Sequence, residues 1–215
     1  MQFDYNYIFS TLIWFYIPVS IYLCHNLSWK VVSNITSTIH ASTVVMFYLI
    51  GINFEILFYS SCGYYIFDGC LNIYYYYKNK NSGYLFMIVH HIATVFTLTY
   101  LYNPVCTDTI FKNFFLLELS NYPLYIVYHL KSVKYDNQYV VGFFIFLEAV
   151  ASIVCRLILG TMNLYRVYSI KDFPWTPLLM GVLIYIISIL WLKAILKQIY
   201  QIFFSKHPHK KELSH

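Results

Sequence analysis

Within long apolar runs, this chain places side chains that can carry charge or move protons: His40, Asp68, His90, His91, Glu118, Glu148 and Arg156. Imidazoles and carboxylates of this kind serve as general bases, nucleophiles or polar anchors for a ligand. An ionised group near the centre of a bilayer costs roughly 2.5–3.5 kcal/mol on insertion scales, so each calls for a partner. Helical spacing sorts them into faces. His90, Thr94 and Thr97 follow i, i+4, i+7 and share one face, directed at a polar interior. His91 lies about 100° round, among Met87, Val95 and Leu98, and is expected to pack on a neighbouring helix or border the cavity. Both histidines are equally readable as neutral imidazoles bonded across helices as packing contacts.

Asp68 and Asn72 share a face, as do Glu118 and Asn121, while Glu148, Ser152 and Arg156 climb one side of their span. Glu148 and Arg156 are too far apart along a helix to touch, so Arg156 calls for a carboxylate from elsewhere. Such a charge-neutralising structural pair is as natural a reading as catalysis. Pro123 is expected to kink its helix and free a carbonyl.

These residues need membrane-spanning elements to hold them. Of the 215 residues 60% are hydrophobic and 11% charged, against about a quarter charged in a soluble domain. The composition therefore predicts an all-α, polytopic membrane protein of about seven transmembrane helices. The spans fall near 5–24, 32–51, 56–77, 84–102, 110–130, 139–160 and 176–204, each close to the ~20 residues a bilayer requires. Gly, Pro, Asn and charge mark most of the breaks. The narrowest is "GINFE" at 51–55. No internal repeat or linker divides the chain. Its expected organisation is an N-terminal helix and loop (1–29), one domain (30–204) and a basic cytosolic tail (205–215).

The connections on one side hold Lys30, Lys78, Lys80, Lys131, Lys134, Lys206, Lys210 and Lys211; the other side has Arg166 and Lys171, with Lys112 at its margin. That bias predicts a cytosolic C-terminus and a non-cytosolic N-terminus. The sequons at Asn26 and Asn34 would then go unused. The N-terminus lacks a positive n-region and a small-residue cleavage site, so it reads as a retained helix. The tyrosine run at 74–77 reads as an interfacial belt, one portion of 24 Tyr, 18 Phe and 4 Trp. The five cysteines show no zinc spacing or disulfide framework. The net charge of +5 comes from loops and tail rather than an extended basic face, which speaks against nucleic acid. No metal or resident cofactor is expected. Haem held by His90 and His129 ranks low, because His129 sits at a membrane boundary.

Five segments in order give a resemblance. "NITSTIHAS", "GYYIFDGCLNIYYYYK", "MIVHHIATVFTL", "NFFLLELSNYPLYIVYHL" and "SIVCRLILG" together resemble the TLC domain. That superfamily includes ceramide synthases and translocating-chain-associated membrane proteins, and the likeness is greatest to its small single-domain members. The resemblance implies six helices in a barrel-like bundle, with one extra N-terminal helix, around a lipid-accessible cavity. Carried over by motif, the cavity residues would be His40, Asp68, His90, His91, Glu118, Ser120 and Arg156, with Thr94 and Asn121 beside them. In ceramide synthases the His pair works with an acidic motif, H-D-x-S-D, to transfer an acyl chain to an amine. Here that stretch is Leu117-Glu118-Leu119-Ser120-Asn121, which lacks the histidine and the second acid. The last helix, "GVLIYIISILWLKAILK", is plainer than its family counterpart.

Two functions follow from the resemblance. One is binding or handling of a lipid or acyl chain in membrane lipid homeostasis, with endoplasmic reticulum as the family's membrane and a homodimer compatible with it. The other is a sphingolipid-type N-acyltransferase with catalytic His90, His91 and Glu118 and acyl-CoA as co-substrate. A cargo-export or translocon role finds little surface in the short loops and the tail "KHPHKKELSH".

Overall fold

The computed structural model describes residues 5–25, 27–100, 107–170 and 175–204, and every regular element among them is helical. The elements are α1 (Tyr5–His25), α2 (Trp29–Leu49), α3 (Phe54–Asn79), α4 (Ser82–Tyr100), α5 (Thr107–Leu119), α6 (Tyr122–Ser132), α7 (Gln138–Ala151), a π-helical segment (Ser152–Leu159), α8 (Gly160–Tyr168) and α9 (Trp175–Phe204). With α5–α6 forming one broken rod and α7–π–α8 one continuous rod, the described chain folds as seven rods. The expected span count and the all-helical class both hold. The tail at 205–215 and the lysine at 171 lie outside the described residues.

Local chemistry explains the boundaries. The short α2–α3 link works because Gly51 takes φ +70°, a left-handed conformation open to glycine. Asn53 then caps α3, its side chain accepting from Glu55 N at 2.9 Å. Lys80 (φ 52°) ends α3 in the same left-handed region. Its ammonium lies 5.1 Å from the Tyr77 ring, and that of Lys78 lies 5.8 Å from Tyr74, so lysine and tyrosine interleave at this edge.

Two elements differ from the sequence reading. The Pro123 kink is a full break: α5 stops at Leu119, Ser120 and Asn121 turn, and α6 starts with proline in its first turn. Proline has no N–H to donate there, so the break sits upstream of the ring. The sixth rod does not end at 160 but runs on through α8 to Tyr168, and it contains a π-helix that apolar patterning does not disclose.

Burial divides the rods. Three segments are long and apolar enough to cross a membrane: Ser82–Thr99, Gln138–Tyr168 and Leu178–Phe204. Ile8–Leu23 is a shorter apolar one. The α2, α3 and α5–α6 rods are more polar and more enclosed, and α3 is the most enclosed, burying ten residues from Phe54 to Asp68. Around it, Trp14, Val44, Leu57, Phe58, Cys62, Tyr64, Tyr65, Leu98 and Phe114 make one core, while Val127, Val141, Ile145, Ala149 and Ile195 make a second between α6, α7 and α9. Outward surfaces are apolar, as a lipid-facing shell requires; Leu49, Tyr139 and Phe204 are examples. α1 lies tight against α3 at Gly63, where a Cβ would come 2.5 Å from Ser10 Oγ and 2.8 Å from its carbonyl carbon. Small residues permit such an approach between membrane helices.

Candidate functional site

The polar residues meet where α2, α3, α4, the α5–α6 break and the π-segment face one another. α3 supplies a stripe at i, i+4, i+7, i+11: Ser61, Tyr65, Asp68 and Asn72. α2 supplies His40 from the buried row Val32, Thr36, His40 and Val44. α4 supplies His91 from the row Met87, His91, Thr94 and Leu98, of which the last three are buried.

At one end His91 Nε2 stands 2.7 Å from Asp68 Oδ2, a close contact that lacks hydrogen-bond alignment. Asn72 Nδ2 donates to the same Asp68 oxygen at 2.9 Å and to the Asp68 carbonyl at 2.7 Å. Both members of the pair are nearly inaccessible, Asp68 at 6% and His91 at 4% exposure. The Tyr65 ring lies 5.2 Å from the His91 ring. Its hydroxyl donates to Glu118 Oε1 at 2.6 Å, so one tyrosine lies against His91 and bonds to Glu118.

Glu118 is fully engaged. Besides Tyr65 on Oε1, it accepts from Asn121 Nδ2 on Oε2 at 3.1 Å, and His40 Nδ1 lies 3.7 Å from Oε1. His40 is itself clasped by Tyr64, stacked at 3.9 Å, and by Ser61 Oγ, 3.2 Å from its Nε2. The break after α5 presents Ser120 and Asn121 to the π-segment, where Arg156 Nε donates to Ser120 Oγ at 2.7 Å and a terminal nitrogen donates to Asn121 Oδ1 at 2.5 Å. Asn121 therefore gives its amide to Glu118 and its carbonyl to Arg156. Among the described residues no carboxylate pairs directly with Arg156, so the carboxylate partner expected for it is reached only through an amide.

Glu148 and Arg156 do not touch, as helix geometry predicts, yet they share a neighbour. Trp191 Nε1 donates to Glu148 Oε1 at 3.2 Å, and the Arg156 guanidinium carbon lies 6.0 Å from the Trp191 ring centre. The last rod is thus less plain than its sequence. A tryptophan away from the headgroup level was the available signal. Tyr65 and Tyr64 were also missed: Tyr65 shares a helical face with Asp68, but it is one among 24 tyrosines.

The face assignment of the two histidines changes. His91, rather than His90, meets the acid, because α4 turns its His91 side onto α3. The threonines thought to mark a polar face bond to their own helix: Thr94 Oγ1 to the His90 carbonyl and Thr97 Oγ1 to the Ala93 carbonyl. Threonine hydroxyls can be satisfied this way without facing anything polar. His90 is half-buried with its ring 5.5 Å from that of His91. One feature is common to His40, His90 and His91: each Nδ1 is buried without a hydrogen-bond partner among the described residues. His129 is exposed on the last turn of α6. No cluster of three or more His, Cys, Asp or Glu that could hold a metal occurs among the described residues.

Comparison with known proteins gives one result. No curated protein and no solved structure matches the chain with significance. A family model described as TLC domain matches residues 4–203. That match takes in α1 as well as the six rods that hold the network, and by it the chain belongs to the TLC-domain family.

Proposed function

We propose that this membrane TLC-domain protein binds a lipid or acyl chain against its buried polar network and serves membrane lipid homeostasis, with the endoplasmic reticulum as its membrane and its C-terminus in the cytosol. The observation that carries the reading is the role of Asn121. A residue that would be an acid in the ceramide synthase motif here crosslinks Glu118 to Arg156. Each Glu118 oxygen accepts a hydrogen bond, one from Tyr65 and one from Asn121, so the carboxylate is engaged in joining α3 to the α5–α6 rod. A general base must reach the proton it removes, and these contacts leave Glu118 poorly placed to do so. The unpaired imidazole nitrogens and the remaining guanidinium hydrogens of Arg156 suit a polar group brought in by a ligand. Buried polar atoms otherwise tend to be satisfied.

A second reading has one specific support, the 2.7 Å approach of His91 to Asp68. A carboxylate that orients an imidazole is the usual support of a base or nucleophile. In an N-acyltransferase, His91 Nδ1 would take the proton from an attacking amine. The C–N bond would form, the thioester C–S bond would break, and the thiol of coenzyme A would leave carrying the proton.

Purified protein supplied with acyl-CoA and a long-chain base separates the two. The binding reading expects no amide product from folded protein. Amide formation that disappears in His90→Ala and His91→Ala would overturn it in favour of the acyltransferase.

A further inference from the structure

A cavity of about 360 Å³ lies away from the polar network, between α1, α2 and α3. Its size falls within the 300–1,000 Å³ of ordinary small-molecule sites. The walls are Phe9, Ile13 and Ile17 of α1, Ile39 and Thr43 of α2, and Ile56 of α3. Phe9, Ile13, Ile39 and Ile56 are also exposed on the outer surface, so the cavity opens toward the bilayer. Two of its polar side chains are turned to backbone carbonyls: Ser10 Oγ donates to that of Tyr59 at 2.6 Å and Thr43 Oγ1 to that of Ile39 at 2.9 Å, while Asn6 and Ser60 complete the polar part of a mainly apolar wall.

The floor distinguishes this cavity from an ordinary lipid-facing crevice. Trp14 lines it, yet is only 4% exposed. The same indole meets His40 edge-on at 5.6 Å and Tyr64 at 5.3 Å. Trp14 thus touches both the bilayer-facing cavity and His40, whose Nδ1 has no hydrogen-bond partner among the described residues and lies 3.7 Å from Glu118. A second groove, on the outer face of α7 and α9, is lined by Tyr139, Phe143, Phe146, Ile199, Phe203 and Phe204.

We propose that the α1–α2–α3 cavity is a lateral port in which the acyl chain of a bilayer lipid lies, with Trp14 as the door between that chain and the His40 end of the network. The inference rests on the lipid-binding reading. α1 is anchored to α3 by the close approach at Gly63 and by Phe15 against Phe67 at 5.1 Å. Its edge toward α2 is therefore the side that can part.

The test uses the full chain in nanodiscs and a long-chain fatty acid bearing a diazirine on its tail, with crosslinks mapped by peptide mass spectrometry. Crosslinks are expected to concentrate on Phe9, Ile13, Ile17 and Ile39. Thr43→Trp, which fills the port without touching the network, is expected to abolish them and to deplete bound lipid, while labelling at Phe143 and Phe203 persists. Trp14→Ala is expected to speed release of bound lipid. Equal labelling of all bilayer-facing positions, whatever stands at Thr43, would overturn the port. So would wild-type lipid occupancy in Thr43→Trp; either outcome leaves lipid binding itself intact. A wild type that holds no lipid removes the binding reading and the port with it.

Discussion

The two ends of the network solve the same problem differently. On the α3–α4 side, Asp68 and His91 meet directly, with Asn72 completing the carboxylate. On the α5–π side, Arg156 is held by the neutral oxygens of Ser120 and Asn121, and Glu118 is reached only through the amide between them. A direct pair in a low-dielectric interior is a fixed contact, because either partner left alone is costly. A guanidinium held by neutral acceptors keeps donors and charge to offer. The first end is expected to hold the bundle together, and the second to answer to a ligand.

Single substitutions distinguish the two ends. Asp68→Asn removes the charge opposite His91 and leaves Asn72 facing an amide. Breaking a buried pair costs about 3–5 kcal/mol, so thermal unfolding in detergent should shift steeply downward. An unchanged transition would mean the pair is not structural. Tyr65→Phe deletes one hydrogen bond to a carboxylate, worth about 1.5–3 kcal/mol, and should give a clear but smaller loss in the same measurement. Arg156→Gln keeps a side chain able to bond Ser120 and Asn121. Its stability should fall by less than that of Asp68→Asn while lipid retention drops; the opposite ranking would reverse the roles of the two ends. The smallest effect concerns Asn34, which lies half-buried with Nδ2 3.4 Å from the Tyr125 carbonyl. Glycosidase treatment should leave the mass of cell-expressed protein unchanged, and a glycan at Asn34 would overturn the orientation.

The spans were legible because long apolar runs broken by Gly, Asn and Lys have few alternative readings. The residues of the site were legible as a set, since charge inside a span is conspicuous. Their pairing was not. His91 stands among apolar neighbours in sequence, and only the packing of α4 on α3 brings Asp68 to it. Thr94 and Thr97 suggested the wrong face because a hydroxyl bonded to its own helix looks the same in sequence as one lining a cavity. The π-segment was hidden for a related reason: "SIVCRLIL" fits an α-helix equally well, and Arg156 reaches Ser120 and Asn121 from a backbone that departs from that pattern. Trp191 was passed over in a helix of apolar residues, although it bridges toward Glu148 from α9.

Lipid mass spectrometry of the purified wild type beside His90→Ala decides whether the buried histidines serve a ligand or only packing. Among the described residues His90 has an unpaired buried nitrogen and no acid partner, so its loss should spare the fold. The wild type is expected to carry a lipid enriched over the surrounding bilayer or detergent extract, and His90→Ala to elute as a folded protein with that lipid reduced or absent. If neither protein carries a specific lipid and the substitution only lowers stability, the histidines are packing groups and the account is wrong.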